Sequence, residues 1–399
     1  MPAPVAEVTA HTFRELSRER RMLGELEPEI LDAQMEIAQI AAPTGSERRR
    51  ARWMADRFAD VGLSARLDDA GNVIARASGA YAGAPVVVCA HLDTVFPENV
   101  ALSVRRDGTR LVAPGICDNG RGLAVMLGLA RVIQVCRLAL ARAVEFVATT
   151  GEEGAGDLRG AKHYFGSVPT PAAVIALDGA GDERIVNTAL GSRRFRITYR
   201  GSGGHSWAAF GTPNPVHAAA RAASRLASLR VRGHARSSLT VSRIGGGMSV
   251  NAIPEEAWLE VDARSTSETT LASLEAEVQA IAGAAAAEEN DGRSRAFRSM
   301  SHHIERIGDR PGGRTPEDSP LVIAALEATR LVGRSPELAT ASTDANAAIA
   351  AGAPAIAIGG GGRGGDAHTS HEWFENTLGT AGMERALTIV ATMAKLAAD

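Results

Sequence analysis

Cysteine is scarce in this 399-residue chain. Cys89, Cys117 and Cys136 are the only three, an odd number and too few for a disulfide framework. Cys89 falls in an apolar strand-like run and Cys136 in a helical one, where each reads as a small buried hydrophobe. Charge of one sign is also missing. Lys and Arg total 43 against 46 Asp and Glu, a formal net charge of −3, so electrostatics gives no case for nucleic acid or an anionic membrane as partner. No stretch approaches an uncharged membrane span. The opening MPAPVAEVTAHTFRELSRERRM lacks an apolar signal-peptide core, so a cytoplasmic protein is expected. Repeats and low-complexity tracts are absent, although GGGGRGG (359–365) reads as a flexible loop.

What is present is ordinary globular composition, 45% hydrophobic and 22% charged. The length exceeds the about 250–300 residues at which single cores stop growing, so two domains are the prior. Residues 12–62 carry helical patterns broken at AAPTGSE (41–47), where Pro43, Thr44, Gly45 and Ser46 mark a turn and a new N-cap. Four short runs are apolar at nearly every position: APVVVCA (84–90), AVEFVAT (143–149), AAVIALD (172–178) and APAIAIG (353–359). Such runs suit central strands covered on both faces. With the helix expected at 122–140, they predict an α/β architecture with a mostly parallel sheet covered by helices.

Residues 191–308 read differently. RFRITYRG alternates like a half-exposed strand, and a helix at 214–230 starts with Pro just inside it. Two strands (SSLTVSRIGG, AWLEVDARS), a helix (ETTLASLEAEVQAIAGAA) and a last strand at 295–308 follow. The order β-α-β-β-α-β is the ferredoxin-like α+β pattern. It is expected as an insertion, with 1–190 and 309–399 forming the two segments of the α/β domain.

The polar residues then collect at strand ends. His91 and Asp93 follow the first run, Glu152 and Glu153 the second, and Asp178 closes the third. The fourth leads to His368, His371 and Glu372, while Asp118 sits just before the helix at 122. Each has a plain reading alone: a chance HxD, a solvated Glu pair, an N-cap Asp. Together they lie where parallel sheets bind ligands. His, Asp and Glu without thiolate suit Zn²⁺, Co²⁺ or Mn²⁺. Five ligands exceed the need of one catalytic zinc and suit two ions sharing a bridging carboxylate, with the second Glu of the pair left as a base. Either His368 or His371 could be the histidine ligand.

These residues resemble the M20 metallopeptidases, the family of peptidase T, glutamate carboxypeptidase, aminoacylase and related deacylases. The resemblance runs in order through HLDTV (91–95), CDNG (117–120), GEEG (151–154), ALDG (176–179), GGHSW (203–207), GGGMSVNAIP (245–254), STDANAA (342–348) and HTSHE (368–372). It implies a zinc-peptidase-like catalytic domain (1–190 with 309–399) carrying an inserted lid and dimerisation domain (191–308), hence a homodimer. By the resemblance, His91 and Asp178 hold one ion, Glu153 and His368 the other, and Asp118 bridges them. Asp93 supports His91, and Glu152 is the general base that takes a proton from the bridging water and passes it to the leaving amine. The family's spacing of His and Glu favours His368 over His371. In the lid, His205 would stabilise the oxyanion, in its own subunit's site or in that of the partner. Asn251 and Arg264 match substrate-binding positions, although a turn before Pro254 and a strand end explain them equally well.

CDNGRG looks more like peptidase T-like members than the deacylases. The expected function is that of a di- or tripeptidase acting at a free N-terminus, with two divalent ions, zinc first, then cobalt or manganese. An N-acyl-amino-acid amidohydrolase is the alternative. A non-catalytic scaffold on the same fold would have lost the base or a ligand, and here all six residues stand. Trp207 and Phe210 either line an apolar side-chain pocket or pack the lid.

Overall fold

The computed structural model describes residues 4–81, 83–230, 236–294 and 297–396. They form two compact units: the described residues up to Ala189 together with those from Arg314 onward, and Leu190–Gly313.

The first unit is built on a sheet with a parallel centre. Val144–Thr149, Val86–His91, Ala173–Leu177 and Ala355–Ile358 lie side by side in that order, each parallel to the next. All side chains of Val86–His91 and Ala173–Leu177 are buried. Alternation sorts them between two cores. Val86, Val88 and Ala90 pack with helices Ser17–Ala38, Gly120–Val135 and Ala381–Lys395. Val87 and Cys89 pack with Tyr164, Phe165, Ala345 and Ala348 on the opposite face. A strand with helices on both faces has no polar side, hence the unbroken apolar runs.

Several elements depart from the expected pattern. Val73–Ala77 adds antiparallel to Val144–Thr149, and Arg184–Ala189 adds antiparallel to Ala355–Ile358. Glu337–Ala341 lies parallel to Arg184–Ala189. The helix expected over 122–140 is Gly120–Val135, because Cys136 caps it and Arg137 turns into left-handed backbone, φ 51°. The helix after the 41–47 turn is Arg48–Asp60 with Glu47, not Ser46, at its N-cap position and no side-chain cap.

The second unit has strands in the order Ser237–Gly246, Glu256–Ser265, Gly191–Arg200, Ser301–Arg310, all antiparallel. Asn214 caps helix Pro215–Ser228 by accepting from Val216 N at 2.9 Å, and Ser267 caps helix Glu268–Asp291. Phe195, Ile197 and Tyr199 pack under both helices against Ala218, Ala222, Val278 and Ala282. The last strand begins at Ser301, not 295. Asn290 binds both main-chain polar groups of Met300, at 3.0 and 2.8 Å, in place of a strand neighbour. Residues 295 and 296 lie outside the described residues. No helix among the described residues is long and apolar enough to cross a membrane.

Candidate metal centre

The parallel strands deliver the site at their carboxyl ends. His91 is the last residue of its strand and pairs in register with Thr149, three residues before Glu152. Asp178 follows Leu177 directly. The main chain that carries Asp118 is placed by its neighbour. Asn119 Oδ1 accepts from Gly122 N and Gly179 N, both at 3.1 Å, and Nδ2 donates to Leu177 O at 2.8 Å. Asn119 is therefore the N-cap, a role the sequence suggested for Asp118, and it ties the Asp118 loop to the Asp178 loop. Gly122 is required there, since a Cβ would stand 2.2 Å from Asn119 Oδ1. The Asp118–Asn119 peptide is cis.

Asp118 presents its two oxygens to two imidazoles. Oδ1 is 3.0 Å from His91 Nε2 and Oδ2 is 3.2 Å from His368 Nε2. His368 Nε2 is also 2.9 Å from Glu153 Oε1, and Asp178 Oδ1 is 4.0 Å from His91 Nε2. His91, Asp118 and Glu153 bring one ligand atom each within 4.8 Å of one another. His371 is exposed, with Nδ1 3.3 Å from Ser370 Oγ.

The electrostatics fit a site for a divalent cation. Burial opposes charge on His91, but Asp118 and Asp93 outweigh it and hold the ring well above the usual histidine range. Asp118 drives His368 up to about 9. Burial, reinforced by Asp118, pushes Asp178 up to about 7, and burial raises Glu153. A cluster that holds two imidazoles and two carboxyls above their usual ranges has an excess of negative donors. Hard oxygen and imidazole donors of this kind suit divalent zinc, cobalt or manganese.

Asp93 organises this centre in a way the sequence did not show. His91 Nδ1 lies 3.1 Å from the Asp93 main-chain carbonyl, which can only accept, so Nδ1 carries the proton and Nε2 faces the cluster. The Asp93 carboxylate, 3.6 Å from Nδ1 at Oδ1, is turned toward the Glu pair instead. Oδ1 accepts from Glu152 N at 2.9 Å, and Oδ2 from Glu153 N at 3.0 Å and Thr44 Oγ1 at 2.8 Å. Burial alone would raise its pKa, but the His91 ring and these amides hold it at about 2. Glu152 is buried, 5% exposed, and its charge helps to raise the pKa of His91. Glu47 Oε1 accepts from Gly45 N and Gly151 N, so the turn at 41–47 braces the loop of the Glu pair. Only its turn character was visible in the sequence.

In the second unit, His205 and Asn251 share a small ribbon. Gly204–His205 pairs with Ala252–Ile253, and Ser206 N donates to Asn251 O at 2.9 Å. Trp207 N donates to Nδ1 of the exposed His205 at 3.2 Å, so Nδ1 accepts and the ring N–H is on Nε2. Trp207 and Phe210 are 86% and 79% exposed, which rules out their packing the core of this unit. Arg264 Nε donates to Asp262 Oδ2 at 2.6 Å, beside the strand partner Ser192.

The profile of peptidase family M20/M25/M40 matches residues 87–396. A protein of Aeropyrum pernix, provisionally named a LysW-lysine/LysW-ornithine hydrolase, is 31% identical over 232 residues, 58% of this chain and 61% of its own length. The chain thus spans less than two thirds of that relative. The fold resembles a tripeptidase from Staphylococcus aureus (TM-score 0.77, 22% identity, 93% of this chain and 99% of that one). It also resembles aminopeptidase PepT from Bacillus cereus (TM-score 0.73, 22% identity, 92% and 99%). A third likeness is the Bacillus subtilis YxeP protein, described as a dinuclear metal-binding peptidase of the M20 family (TM-score 0.67, 17% identity, 92% and 98%).

Proposed function

The chain belongs to peptidase family M20/M25/M40 and is a metal-dependent hydrolase, and from that premise we propose that it cleaves the amide bond of small peptides, as a di- or tripeptidase acting at a free N-terminus. The observation that carries this is the Asp118 carboxylate set between His91 and His368, with Glu153 on His368 and the buried Glu152 next to it in the chain.

In this reading His91 and Asp178 hold one divalent ion, Glu153 and His368 hold a second, and Asp118 is shared, with zinc as the native metal. Ions bound there supply a Lewis acid for the amide carbonyl and lower the pKa of water. Glu152 accepts the proton of the attacking water and returns it to the leaving nitrogen as the C–N bond breaks. Asp93 fixes the main chain of Glu152 and Glu153 together, which holds the base at a constant offset from its ligand neighbour. His205 offers its Nε2–H to the oxyanion, and Asn251, in the same ribbon, binds the substrate carbonyl. The terminal nitrogens of Arg264 suit a substrate carboxylate. The Leu190–Gly313 unit serves as lid and homodimer interface, in a cytoplasmic enzyme.

A second reading, an N-acyl-amino-acid amidohydrolase, is favoured by the Aeropyrum pernix relative, whose name gives lysine or ornithine joined to LysW as its substrate. The test is hydrolysis by metal-stripped protein reloaded separately with Zn²⁺, Co²⁺ and Mn²⁺. Free-amino dipeptides and tripeptides are compared with N-acetyl amino acids. Metal-dependent cleavage confined to free-amino peptides supports the peptidase. Cleavage confined to acyl substrates moves the function to the second reading, and no cleavage of either overturns both.

A further inference from the structure

Glu372 is fully buried, and it is not among the residues that ligate, accept protons or bind substrate in the reading above. Its carboxylate meets three main-chain amides of a segment more than 250 residues away. Oε2 accepts from Gly115 N at 2.9 Å, and Oε1 accepts from Cys117 N at 2.8 Å and Asp118 N at 2.7 Å. Its own carbonyl accepts from Ala113 N at 3.0 Å, continuing the antiparallel pairing of Trp373–Glu375 with Arg110–Val112. Glu372 thus grips the Asp118 loop along its length, and the last bond is to the amide of Asp118 itself.

The other end of this arrangement is His368, four residues earlier. His368 has left-handed backbone, φ 66°, in an exposed stretch. That stretch folds on itself: Thr369 N and Oγ1 both donate to Asp366 O, and Glu372 N donates to Thr369 O. Glu372 is where it joins buried structure. Asp118 and His368 come from distant parts of the sequence, yet Asp118 Oδ2 and His368 Nε2 stand 3.2 Å apart. Glu372 joins the two at this point: its side chain holds the main chain of the Asp118 loop, and its own amide bonds Thr369 O in the stretch that carries His368.

We propose that Glu372 is a positioning residue that sets the spacing of Asp118 and His368 for a pair of divalent ions; this rests on the two-ion reading of the site. Three donors converging on one carboxylate fix a loop more tightly than any single bond, and such supports of ligands typically change metal affinity 10–100-fold. Glutamine keeps one acceptor oxygen but turns an NH₂ toward a donor. Alanine removes every acceptor.

The test uses the full chain, wild type, Glu372→Gln and Glu372→Ala, stripped of metal and titrated with Co²⁺. Ions per folded chain, affinity, the Co²⁺ absorption spectrum and the metal-free melting temperature are measured. The expected result is two ions for the wild type, and affinity lowered about 10-fold or more in Glu372→Ala for at least one ion with an altered spectrum. Glu372→Gln should fall between. Lower melting temperatures with wild-type affinity and spectrum in both variants would overturn the positioning role. If the glutamine variant alone folds, its affinity and spectrum decide. A wild-type chain that takes fewer than two ions would overturn the two-ion reading itself, an outcome separate from the first.

Discussion

The Oδ1 oxygen of Asp93 accepts a hydrogen bond from the main-chain amide of Glu152 at 2.9 Å. Together with its bond to Glu153 N and the His91 contact through its carbonyl, this makes Asp93 a hub between His91 and the Glu152–Glu153 pair. Asp93→Ala is expected to reduce kcat/KM about 10–100-fold, because both glutamates lose their common main-chain anchor. Steady-state kinetics on the metal-loaded variant check this, and undiminished kcat/KM would refute the hub. Asp93→Asn should be milder, since one amide oxygen remains to accept.

Glu152→Gln removes the proposed proton acceptor while conserving size in a buried position. The expected loss is about 10²–10⁴-fold in kcat, the range of a general base, with metal content unchanged. Metal analysis alongside kinetics separates this from ligand loss. Full activity in the variant would remove Glu152 from the mechanism.

Much of this was legible because central strands carry their signal in every residue. Val86–His91 is buried throughout, so its apolar run could be read without alternation. The strand ends then gave the polar set, and the structure brings His91, Asp118, Glu153 and His368 within contact distance. Short flanking strands such as Arg184–Ala189 were not legible, since RIVNTA mixes polar and apolar residues and owes its pairing to neighbours distant in sequence. The Glu372 clamp was hidden for the same reason. Its three partners are main-chain amides, which leave no trace in residue type. The exchange of the N-cap from Asp118 to Asn119 turned on one residue, below what a capping preference can decide.

In the Leu190–Gly313 unit, Glu289 is buried and collects Arg293 Nε at 2.7 Å, Asn214 N at 3.0 Å and Arg221. Burial raises its pKa, but these donors outweigh it, and the net shift is downward. A carboxyl depressed in the folded state stabilises above its unfolded pKa of about 4.3 and loses that contribution as pH falls through the folded value. Glu289→Gln should therefore destabilise the protein at neutral pH by about 1.5–3 kcal/mol, the range of hydrogen bonds to a charged group. Thermal melts of wild type and variant should keep a constant gap from pH 7 down to about 4.3, then draw together as pH falls further, through the depressed folded value. A gap that persists through that fall would show that the charge of Glu289 does not contribute.

The last prediction concerns His205. Its Nδ1 is occupied by the Trp207 amide at 3.2 Å, so only Nε2–H is available to an anion. A donor aimed at charge that develops in the transition state affects kcat more than ground-state binding. His205→Ala should lower kcat about 10²–10³-fold, with little change in KM or in ions bound per chain. His205→Gln, which can also present an N–H, should recover part of the loss. The same variant tests the dimer. If His205 acts on the partner's centre, mixing His205→Ala with Glu152→Gln chains, each strongly impaired alone, should regenerate sites that combine an intact base with an intact donor. Activity that rises on mixing supports action in trans. Activity that stays at the level of the separate variants assigns His205 to the centre of its own chain.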